Sequence, residues 1–263
     1  MFYIFDIIGF MNIGIVGFGK MGKRIYDLAH ESSYCVKAVI DCFSDDVRVT
    51  SKTLSKEALL GCDVVIDFSH PSTAVDNIKK YVDYSIPAVI GTTGWYERVD
   101  EVKTYTQEKG GAILWSGNFS LGVAATIKIV SYASKLMNTL TEYDVAVHEI
   151  HHNKKADSPS GTGLMLAKEV IKNLDRKDEI DTECQHQKIR PNVLHLSSSR
   201  VGSVPGIHEV IFDSDVDTIT ISHSARSRDG FASGSLSAAK WLISEKRVGL
   251  FSMDDLINNI FGE

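Results

Sequence analysis

Cysteine and proline are scarce in this sequence, and it has neither long apolar runs nor an excess of positive charge. The four cysteines, Cys35, Cys42, Cys62 and Cys184, form no Cys-x-x-Cys pair and lie too far apart for a small metal knuckle. They indicate reduced thiols in a cytoplasmic protein. No run approaches the roughly 20 apolar residues that cross a bilayer. A net charge of −6 argues against general binding to nucleic acid or to anionic membranes.

Residues 1–10 are apolar, but they lack the basic leader and the small-residue cleavage site of a signal peptide. A second methionine, Met11, stands directly before the first convincing strand. We therefore expect residues 1–10 to be an N-terminal extension and Met11 to be the natural start. The mass of the native N-terminus tests this expectation.

A glycine-rich turn follows the first predicted strand, residues 12–16. The turn reads Gly17-Phe18-Gly19-Lys20-Met21-Gly22, and apolar side chains then recur at helical spacing. A Gly-x-Gly-x-x-Gly turn between a strand and a helix is typical of dinucleotide-binding proteins, because its backbone N–H groups can approach a pyrophosphate. The next predicted strand, residues 36–40, ends at Asp41, about where a carboxylate binds the adenine ribose. A tight turn without a ligand is the alternative.

Asp41 also bears on the choice of cofactor. A carboxylate at this position repels the 2′-phosphate of NADPH, and Cys42 follows it in place of an arginine that could bind that phosphate. We therefore expect NADH, NADPH or both as cofactor, with NADH favoured.

Strands and helices continue to alternate through the first half of the chain. Strands are predicted at residues 63–68, 87–90 and 112–115, with helices at 74–82 and 96–108. Such alternation predicts a right-handed, doubly wound parallel sheet, in which ligands lie off the carboxyl ends of the strands. Two polar loops at such ends are assigned to the nicotinamide side: Gly91-Thr92-Thr93 and Gly117-Asn118-Phe119-Ser120. Each loop alone could be an ordinary turn, but their shared position after successive strands favours a functional role.

The pattern changes after residue 120. A long helix (121–140), a half-buried strand (143–150) and a helix (162–174) precede strands that look antiparallel, at 189–196, 209–212 and 218–223. A last helix, 231–244, is expected to pack back on the first domain. The chain is therefore predicted to be α/β, with a Rossmann-type domain over residues 11–120 joined by 229–263. The second domain, 121–228, is predicted to be an α+β substrate and oligomerisation domain with a mixed or antiparallel sheet.

One stretch concentrates titratable groups: His148-Glu149-Ile150-His151-His152-Asn153-Lys154-Lys155-Ala156-Asp157-Ser158-Pro159-Ser160-Gly161-Thr162. His151 and His152 are adjacent, so they face opposite ways on a strand. Ser160, Gly161 and Thr162 supply hydroxyls and amides at a predicted helix start, which suits a carboxylate. The stretch therefore predicts a cradle for a small dianion with proton donors nearby. A metal site is a weaker alternative because the lysines would repel a cation, and a solvated charged loop is another.

The stretch resembles the signature of the 4-hydroxy-tetrahydrodipicolinate reductases of bacterial lysine and diaminopimelate biosynthesis. Further segments match that family in order: residues 17–22, 67–69, 89–94, 116–120 and 200–212. The resemblance implies reduction of 4-hydroxy-tetrahydrodipicolinate to tetrahydrodipicolinate, with a hydride from NADH or NADPH and a proton from the cluster. It also implies a homotetramer built through the sheet of the second domain.

The resemblance also implies roles for individual residues. His151 would be the acid/base residue and Lys155 the proton donor, while no metal would take part. The substrate carboxylates would be bound by His152, Ser160, Gly161 and Thr162. The dinucleotide would be bound by residues 17–22, Asp41, residues 91–93 and residues 117–120.

The chain departs from the family pattern in three places. Its glycine loop is one residue shorter than the Gly-x-x-Gly-x-Met-Gly form, and Cys42 replaces an arginine that some members use. Gly163 stands where alanine is usual, which we expect to loosen the helix start slightly. Two alternatives remain: a related amino-acid or sugar dehydrogenase, such as an L-aspartate dehydrogenase, and a dinucleotide-sensing regulator without catalysis.

Overall fold

The computed structural model describes residues 11–32 and 34–262, so the expected extension at residues 1–10 lies outside the described part. The chain divides into two compact units. The first unit runs up to Leu121 and resumes at Asp229, and the second is Gly122–Arg228. None of the helices in the described ranges combines the length and apolar character that a membrane span requires.

The elements follow in chain order as β1 (Met11–Val16), α1 (Lys20–His30), β2 (Tyr34–Ile40), β3 (Val64–Asp67), α2 (Pro71–Asp83), β4 (Ala88–Ile90), α3 (Val99–Glu108), β5 (Ala112–Trp115), α4 (Leu121–Thr139), β6 (Asp144–His151), α5 (Gly161–Asn173), β7 (Glu179–Asp181), β8 (Val193–Arg200), β9 (Ile207–Asp213), β10 (Thr218–Ser224), α6 (Asp229–Ser244), β11 (Gly249–Ser252) and α7 (Met253–Phe261). A 3₁₀ turn, Tyr96–Arg98, precedes α3. The helix predicted over residues 96–108 is therefore divided at Val99.

The first unit contains a parallel sheet of six strands in the order β11-β5-β4-β3-β1-β2. Helices α1, α6 and α7 cover one face, and α2 and α3 cover the other. Strand β1 lies between β2 and β3, so the order of the strands reverses at β1. In a sheet of this kind the ligand crevice lies at that point, at the carboxyl ends of β1 and β3. The edge strand β11 was not predicted from the sequence, because four residues after a helix carry little periodicity.

The second unit contains a mixed sheet in the order β10-β9-β6-β8-β7. Strands β9 and β10 are antiparallel to their neighbours, as predicted, but β8 is parallel to both β6 and β7. The segment at 189–196 was expected to be antiparallel, and this was wrong, because the α5 connection returns the chain in the direction of β6; the sheet is the mixed one of the two kinds predicted. The strand predicted at 189–196 begins at Val193, since a turn places the Val193 N–H on the Arg190 carbonyl. The parallel Rossmann-type sheet and the mixed second sheet together confirm the predicted fold class.

One face of β6 explains how this sheet carries both a core and a polar site. Val145 and Val147 pack into the apolar cluster formed with α4 and α5. Because alternate residues of a strand share a face, Glu149 and His151 continue the same side towards the carboxyl end of β6. The helix-covered face is therefore apolar at one end and charged at the other.

Candidate active site

A cross-strand row of polar side chains lies at the charged end of this face. Glu149 pairs with Ser198 of β8 and with His208 of β9, while His151 pairs with Arg200 of β8. Glu149, His151 and His208 are at most 6% exposed. Directly paired residues on neighbouring strands lie close enough to interact, so the sheet register gathers these groups.

Glu149 is the centre of this row. Its Oε1 atom accepts hydrogen bonds from the Ser160 N–H (2.9 Å), the Ser198 hydroxyl (3.0 Å) and Arg200 (3.1 Å). Its Oε2 atom accepts the Ser160 hydroxyl hydrogen. Burial would raise the pKa of the Glu149 carboxyl, but these donors outweigh it and hold that pKa below its usual value. Glu149 is therefore a buried carboxylate that joins β6, β8 and the start of α5.

Helix α5 begins where Glu149 holds it. Ser160 is the N-cap, and its hydroxyl accepts the Gly163 N–H at 3.1 Å, as expected for serine at this position. A Cβ at Gly161 would meet nothing within 4 Å, so this side of the helix start is open. The amides of a helix N-terminus and the helix dipole favour an anion there. The start of α5 is thus fixed in place by Ser160 and open beside Gly161, as a site for a carboxylate requires.

Gly163 is closely packed, whereas the sequence led us to expect only a slightly looser helix start at this position. A Cβ at this position would lie 2.7 Å from Oε2 of Glu149. Because Glu149 is held by donors from the start of α5 and from β8, its carboxylate could move away only by weakening those hydrogen bonds. Glycine at position 163 therefore lets the buried carboxylate approach the first turn of α5.

Lys155 lies in the loop between β6 and α5 and is paired with a carboxylate of the same loop. Its Nζ atom donates to both oxygens of Asp157, at 2.7 and 2.9 Å, and the hydrogen bond from Lys155 lowers the pKa of Asp157. Arg200 donates to the Asp157 carbonyl at 2.6 Å while also binding Glu149. The loop that carries Lys155 is therefore tied to the same carboxylate as α5.

Two histidines of the site, His151 and His208, have lowered pKa values. Burial lowers the pKa of His151, although Glu149, whose Oε1 atom lies 3.7 Å from Nδ1 of His151, opposes the shift. Burial and the neighbouring His151 lower the pKa of His208 to about 4. His152 follows the end of β6 and is half-buried. At neutral pH His151 and His208 are therefore mainly neutral imidazoles, and Lys155 and Arg200 are the cations of this cluster.

Glu149, His151 and His208 also meet the simple geometric condition for a metal site, because one ligand atom from each lies within 4.8 Å of the others. Both oxygens of Glu149 are already occupied by donors, and Arg200 supplies a positive charge at 3.1 Å. A cation would have to displace these donors and lie beside two positive side chains. The arrangement therefore suits an anion better than a metal ion.

The glycine turn of the first unit fits a dinucleotide. Gly17 has a φ of +86°, and a Cβ there would overlap the Phe68 carbonyl; a Cβ at Gly22 would overlap the Gly17 carbonyl. A Cβ at Gly19 would meet nothing within 4 Å. Two glycines are thus required by the protein's own packing, and the middle one leaves the N-terminus of α1 open to a phosphate. Gly19 is the N-cap of α1 and has no side chain to cap it.

Asp41 lies beside this turn at the end of β2. Its Oδ2 atom accepts the Phe18 N–H at 2.6 Å, and its Oδ1 atom accepts the Phe43 and Ser44 N–H groups at 2.8 Å. Burial would raise the pKa of Asp41, but these amides lower it below its usual value. Asp41 is therefore an ionised carboxylate at the position where a ribose binds in this fold.

The other predicted cofactor residues lie at the carboxyl ends of β4 and β5. Thr92 donates to the buried Asp67 at 3.0 Å, which ties the Gly91–Thr93 loop to β3, and Gly91 lies against the Phe68 ring. In the loop after β5, the Asn118 side chain accepts the Ser120 N–H at 2.9 Å, and Gly117 lies near Tyr96. The side chains of Phe18 and Phe119 are in the core, so these two residues offer a ligand only their backbone. Lys20 and Thr93 are exposed, and Met21 is half-buried.

Several groups of the site were not selected from the sequence: Glu149, Ser198, Arg200 and His208 in the second unit, and Asp67 in the first. Glu149 could have been found, because it lies two residues before His151 and so shares its face of a strand. The others are brought in by the register between strands that are distant in sequence. No local pattern predicts that register.

Comparison with known proteins gives a consistent result. Residues 11–119 match the family described as dihydrodipicolinate reductase, N-terminus, and residues 122–257 match dihydrodipicolinate reductase, C-terminus. A protein of Caldanaerobacter subterraneus named 4-hydroxy-tetrahydrodipicolinate reductase is 40% identical, over 91% of this chain and 94% of its own length. One of the same name from Christiangramia forsetii is 32% identical, over 95% and 99%.

A solved structure shares the fold: the dipicolinate-bound dihydrodipicolinate reductase of Paenisporosarcina sp. TG-14, with a TM-score of 0.75 and 21% identity. The match covers 92% of this chain and 97% of that one. The two family matches together span almost all of the described residues, and the alignments with the two named relatives cover nearly the full length of each relative. The chain belongs to the dihydrodipicolinate reductase family.

Proposed function

We propose that this chain reduces 4-hydroxy-tetrahydrodipicolinate to tetrahydrodipicolinate with NADH or NADPH. The observation that carries the proposal is the buried Glu149 carboxylate, which joins the N-terminus of α5 to the strands bearing His151 and Arg200 and, through Arg200, to the Lys155 loop. An anion site and proton donors are thereby held on one framework. This pairing matches the needs of a reduction in which a dicarboxylate is bound and protonated.

The substrate carboxylates are assigned to the start of α5. Ser160 fixes the first turn, and the side of Gly161 is open; the amides of Gly161 and Thr162 are the proposed donors to a carboxylate. His152 lies on the chain that leads into this loop and adds a polar ring. The family member from Paenisporosarcina holds dipicolinate, a planar dicarboxylate, which supports a substrate of that class.

Proton transfer is assigned to Lys155 and His151. The Nζ atom of Lys155 is held as one half of an ion pair with Asp157, which keeps the proposed donor in place at the site. A bound dicarboxylate competes with Asp157 for that ammonium group. His151, being mainly neutral, can accept a proton and pass it on, and Glu149 stabilises its charged form.

The dinucleotide is assigned to the glycine turn, Asp41 and the loops after β4 and β5. When bound, it would supply the hydride. The amides at Gly19 and the start of α1 would hold the pyrophosphate, and Asp41 would accept hydrogen bonds from the adenine ribose.

We propose that NADH is the preferred cofactor. Three cations on α1 and in the loop after β2 are each paired with a carboxylate: Lys23 with Asp46 (3.0 Å), Arg48 with Asp46 (2.8 Å) and Lys52 with Asp45 (3.0 Å). A 2′-phosphate would have to displace one of these carboxylates and also approach Asp41. The hydroxyl of NADH meets neither cost.

A homotetramer in the cytoplasm is also proposed, built through the face of the mixed sheet opposite α4 and α5. Ala146, His148 and Ile150 of β6 are half-buried on that face. Sedimentation at micromolar concentration should give four times the chain mass of 29.0 kDa. A monomer at all concentrations would contradict this assembly.

The test of the function is a coupled assay. The chain is supplied with the condensation product of aspartate semialdehyde and pyruvate, and nicotinamide absorbance is followed with NADH and with NADPH. We expect oxidation of NADH that requires the condensation product and is inhibited by pyridine-2,6-dicarboxylate. No oxidation of either cofactor would overturn the proposed function.

A further inference from the structure

His208 is a buried histidine that the proposed reaction does not use. It lies on β9 directly opposite Glu149, is 5% exposed, and its Nε2 atom lies 3.2 Å from the Ser160 hydroxyl oxygen. The His151 ring meets it edge-on, with 5.0 Å between ring centroids. Across the described residues, Nδ1 of His208 is buried and has no hydrogen-bond partner. A buried polar side chain with an unpaired nitrogen costs stability, so its presence calls for a structural or functional explanation.

Hydrogen-bond accounting at Ser160 fixes the tautomer of His208. A serine hydroxyl has one hydrogen to donate and two lone pairs to accept with. Ser160 donates its hydrogen to the Glu149 carboxylate, which can only accept, and one lone pair accepts the Gly163 N–H. The remaining lone pair can be matched only by a hydrogen on Nε2 of His208. His208 is therefore the Nε2–H tautomer, with Nδ1 unprotonated.

This hydrogen bond completes the shell around the cap of α5. The Ser160 hydroxyl donates its hydrogen to Glu149, and its two lone pairs accept hydrogen bonds from Gly163 and His208. The hydroxyl therefore cannot rotate without leaving one of these three partners unpaired. We infer that His208 is a positioning residue that locks Ser160 as the cap of α5 and so preorganises the amides that bind a substrate carboxylate. The inference rests on the proposed function, because the carboxylate is that of the proposed substrate class.

The test compares three variants. His208→Phe keeps the ring and removes the donor, while His208→Gln places an amide N–H near the original Nε2 position. His223→Phe is the matched control, because His223 is a half-buried histidine on the next strand, paired with His208, and its ring is 6.5 Å from that of His208. The readouts are kcat, the KM values of substrate and NADH, and the Kd of pyridine-2,6-dicarboxylate by calorimetry with saturating NADH.

We expect His208→Phe to raise the substrate KM and the dicarboxylate Kd about tenfold, with kcat within about threefold of wild type and the NADH KM unchanged. His208→Gln should restore both constants to within about threefold, and His223→Phe should match wild type. The inference is overturned if His208→Phe binds the dicarboxylate normally, or if the glutamine variant does not rescue. It is also overturned if the loss falls on kcat with a changed pH profile, because His208 would then move a proton itself.

Two controls keep the outcomes separate. Should His208→Phe fail to fold, the ¹⁵N shifts of the wild-type imidazoles report the tautomer directly, and an Nδ1–H form of His208 would overturn the inference. A wild-type enzyme that oxidises neither cofactor would refute the proposed function alone. Dicarboxylate binding to the variants would still decide the role of His208.

Discussion

The candidate sites of the two units use different parts of the chain: backbone amides in the first unit and side chains in the second. The first uses the backbone: Gly19 exposes the amides of α1, and Phe18 and Phe119 bury their side chains in the core. The second uses side chains on a strand face, where Glu149 collects donors from α5 and β8. A site made of backbone amides does not depend on particular charged side chains, but it is blocked when an added Cβ fills the space beside the backbone. A site made of side chains depends on individual charged groups. The predictions below test this difference, from the largest expected effect to the smallest.

Removal of one charge in the second unit should greatly lower turnover without changing NADH binding, which is assigned to the first unit. Lys155→Ala should lower kcat by a factor on the order of 10²–10⁴, because the proton donor is lost, while NADH affinity stays nearly intact. Lys154→Ala is the matched control, since it removes an exposed lysine from the same loop. If Lys155→Ala raises the substrate KM with kcat unchanged, Lys155 is only a binding group.

The second unit should also lose stability in mild acid. The folded-state pKa of His208 is about 4 against an ordinary value of 6.5, so the unfolded chain binds the proton more readily. The stabilisation from its neutral form is present above pH 6.5 and is lost as pH falls towards 4, by about 3 kcal/mol in all. His151 and His223, with lowered pKa values, act in the same direction, whereas the stabilisation from the lowered pKa of Glu149 is fully present above the usual value of a glutamate and is lost only at lower pH.

Urea unfolding at pH 7 and pH 5 measures this effect. Wild type should lose more stability between the two values than His208→Gln, because the variant has no imidazole to protonate at that position. An equal loss in both proteins would show that burial of His208 does not govern the acid sensitivity of this unit.

In the first unit, adding a single Cβ at a glycine of the turn should have a large effect although no charge changes. Gly22→Ala should destabilise the fold by about 2–4 kcal/mol, because its Cβ overlaps the Gly17 carbonyl. Gly19→Ala should melt like wild type and raise the NADH KM about tenfold, because its Cβ enters only the space left for the phosphate. Thermal melts and initial rates separate the two effects. A Gly19→Ala protein that binds NADH normally would argue against a pyrophosphate at this turn.

The cofactor preference should shift by the smallest amount. Cys42→Arg places a cation beside Asp41 and should raise kcat/KM for NADPH relative to NADH about tenfold. Cys184→Arg makes the same change at another exposed cysteine, in the second unit, and should leave the ratio alone. A wild-type enzyme that already prefers NADPH would contradict the proposed role of Asp41.

The same difference explains what the sequence could predict. The glycine turn is a local signal, because the strand, the turn and the helix are adjacent in the chain, and residues 17–22 could be located without a structure. The stretch from His148 to Thr162 was also local and marked the second site. Ser160 was expected to begin a helix, and it does.

The long-range parts of the second site could not be predicted. His208 and Arg200 reach Glu149 only through the register of β9 and β8, and β8 was expected to be antiparallel and to begin four residues earlier than it does. The expected strand also ended at residue 196, so Arg200 lay outside it. Asp67 was likewise invisible as a partner of Thr92, because it ends a strand that reads as wholly buried.

The most direct test of the account is the dissociation constant of NADH for wild type, Gly19→Ala and Lys155→Ala, measured by calorimetry on the full chain. We predict that Gly19→Ala weakens NADH about tenfold, while Lys155→Ala binds NADH as wild type does despite a turnover at least about 100-fold lower. An NADH affinity that falls with turnover in Lys155→Ala, or that is unchanged in Gly19→Ala, would contradict the assignment of one reactant to each unit.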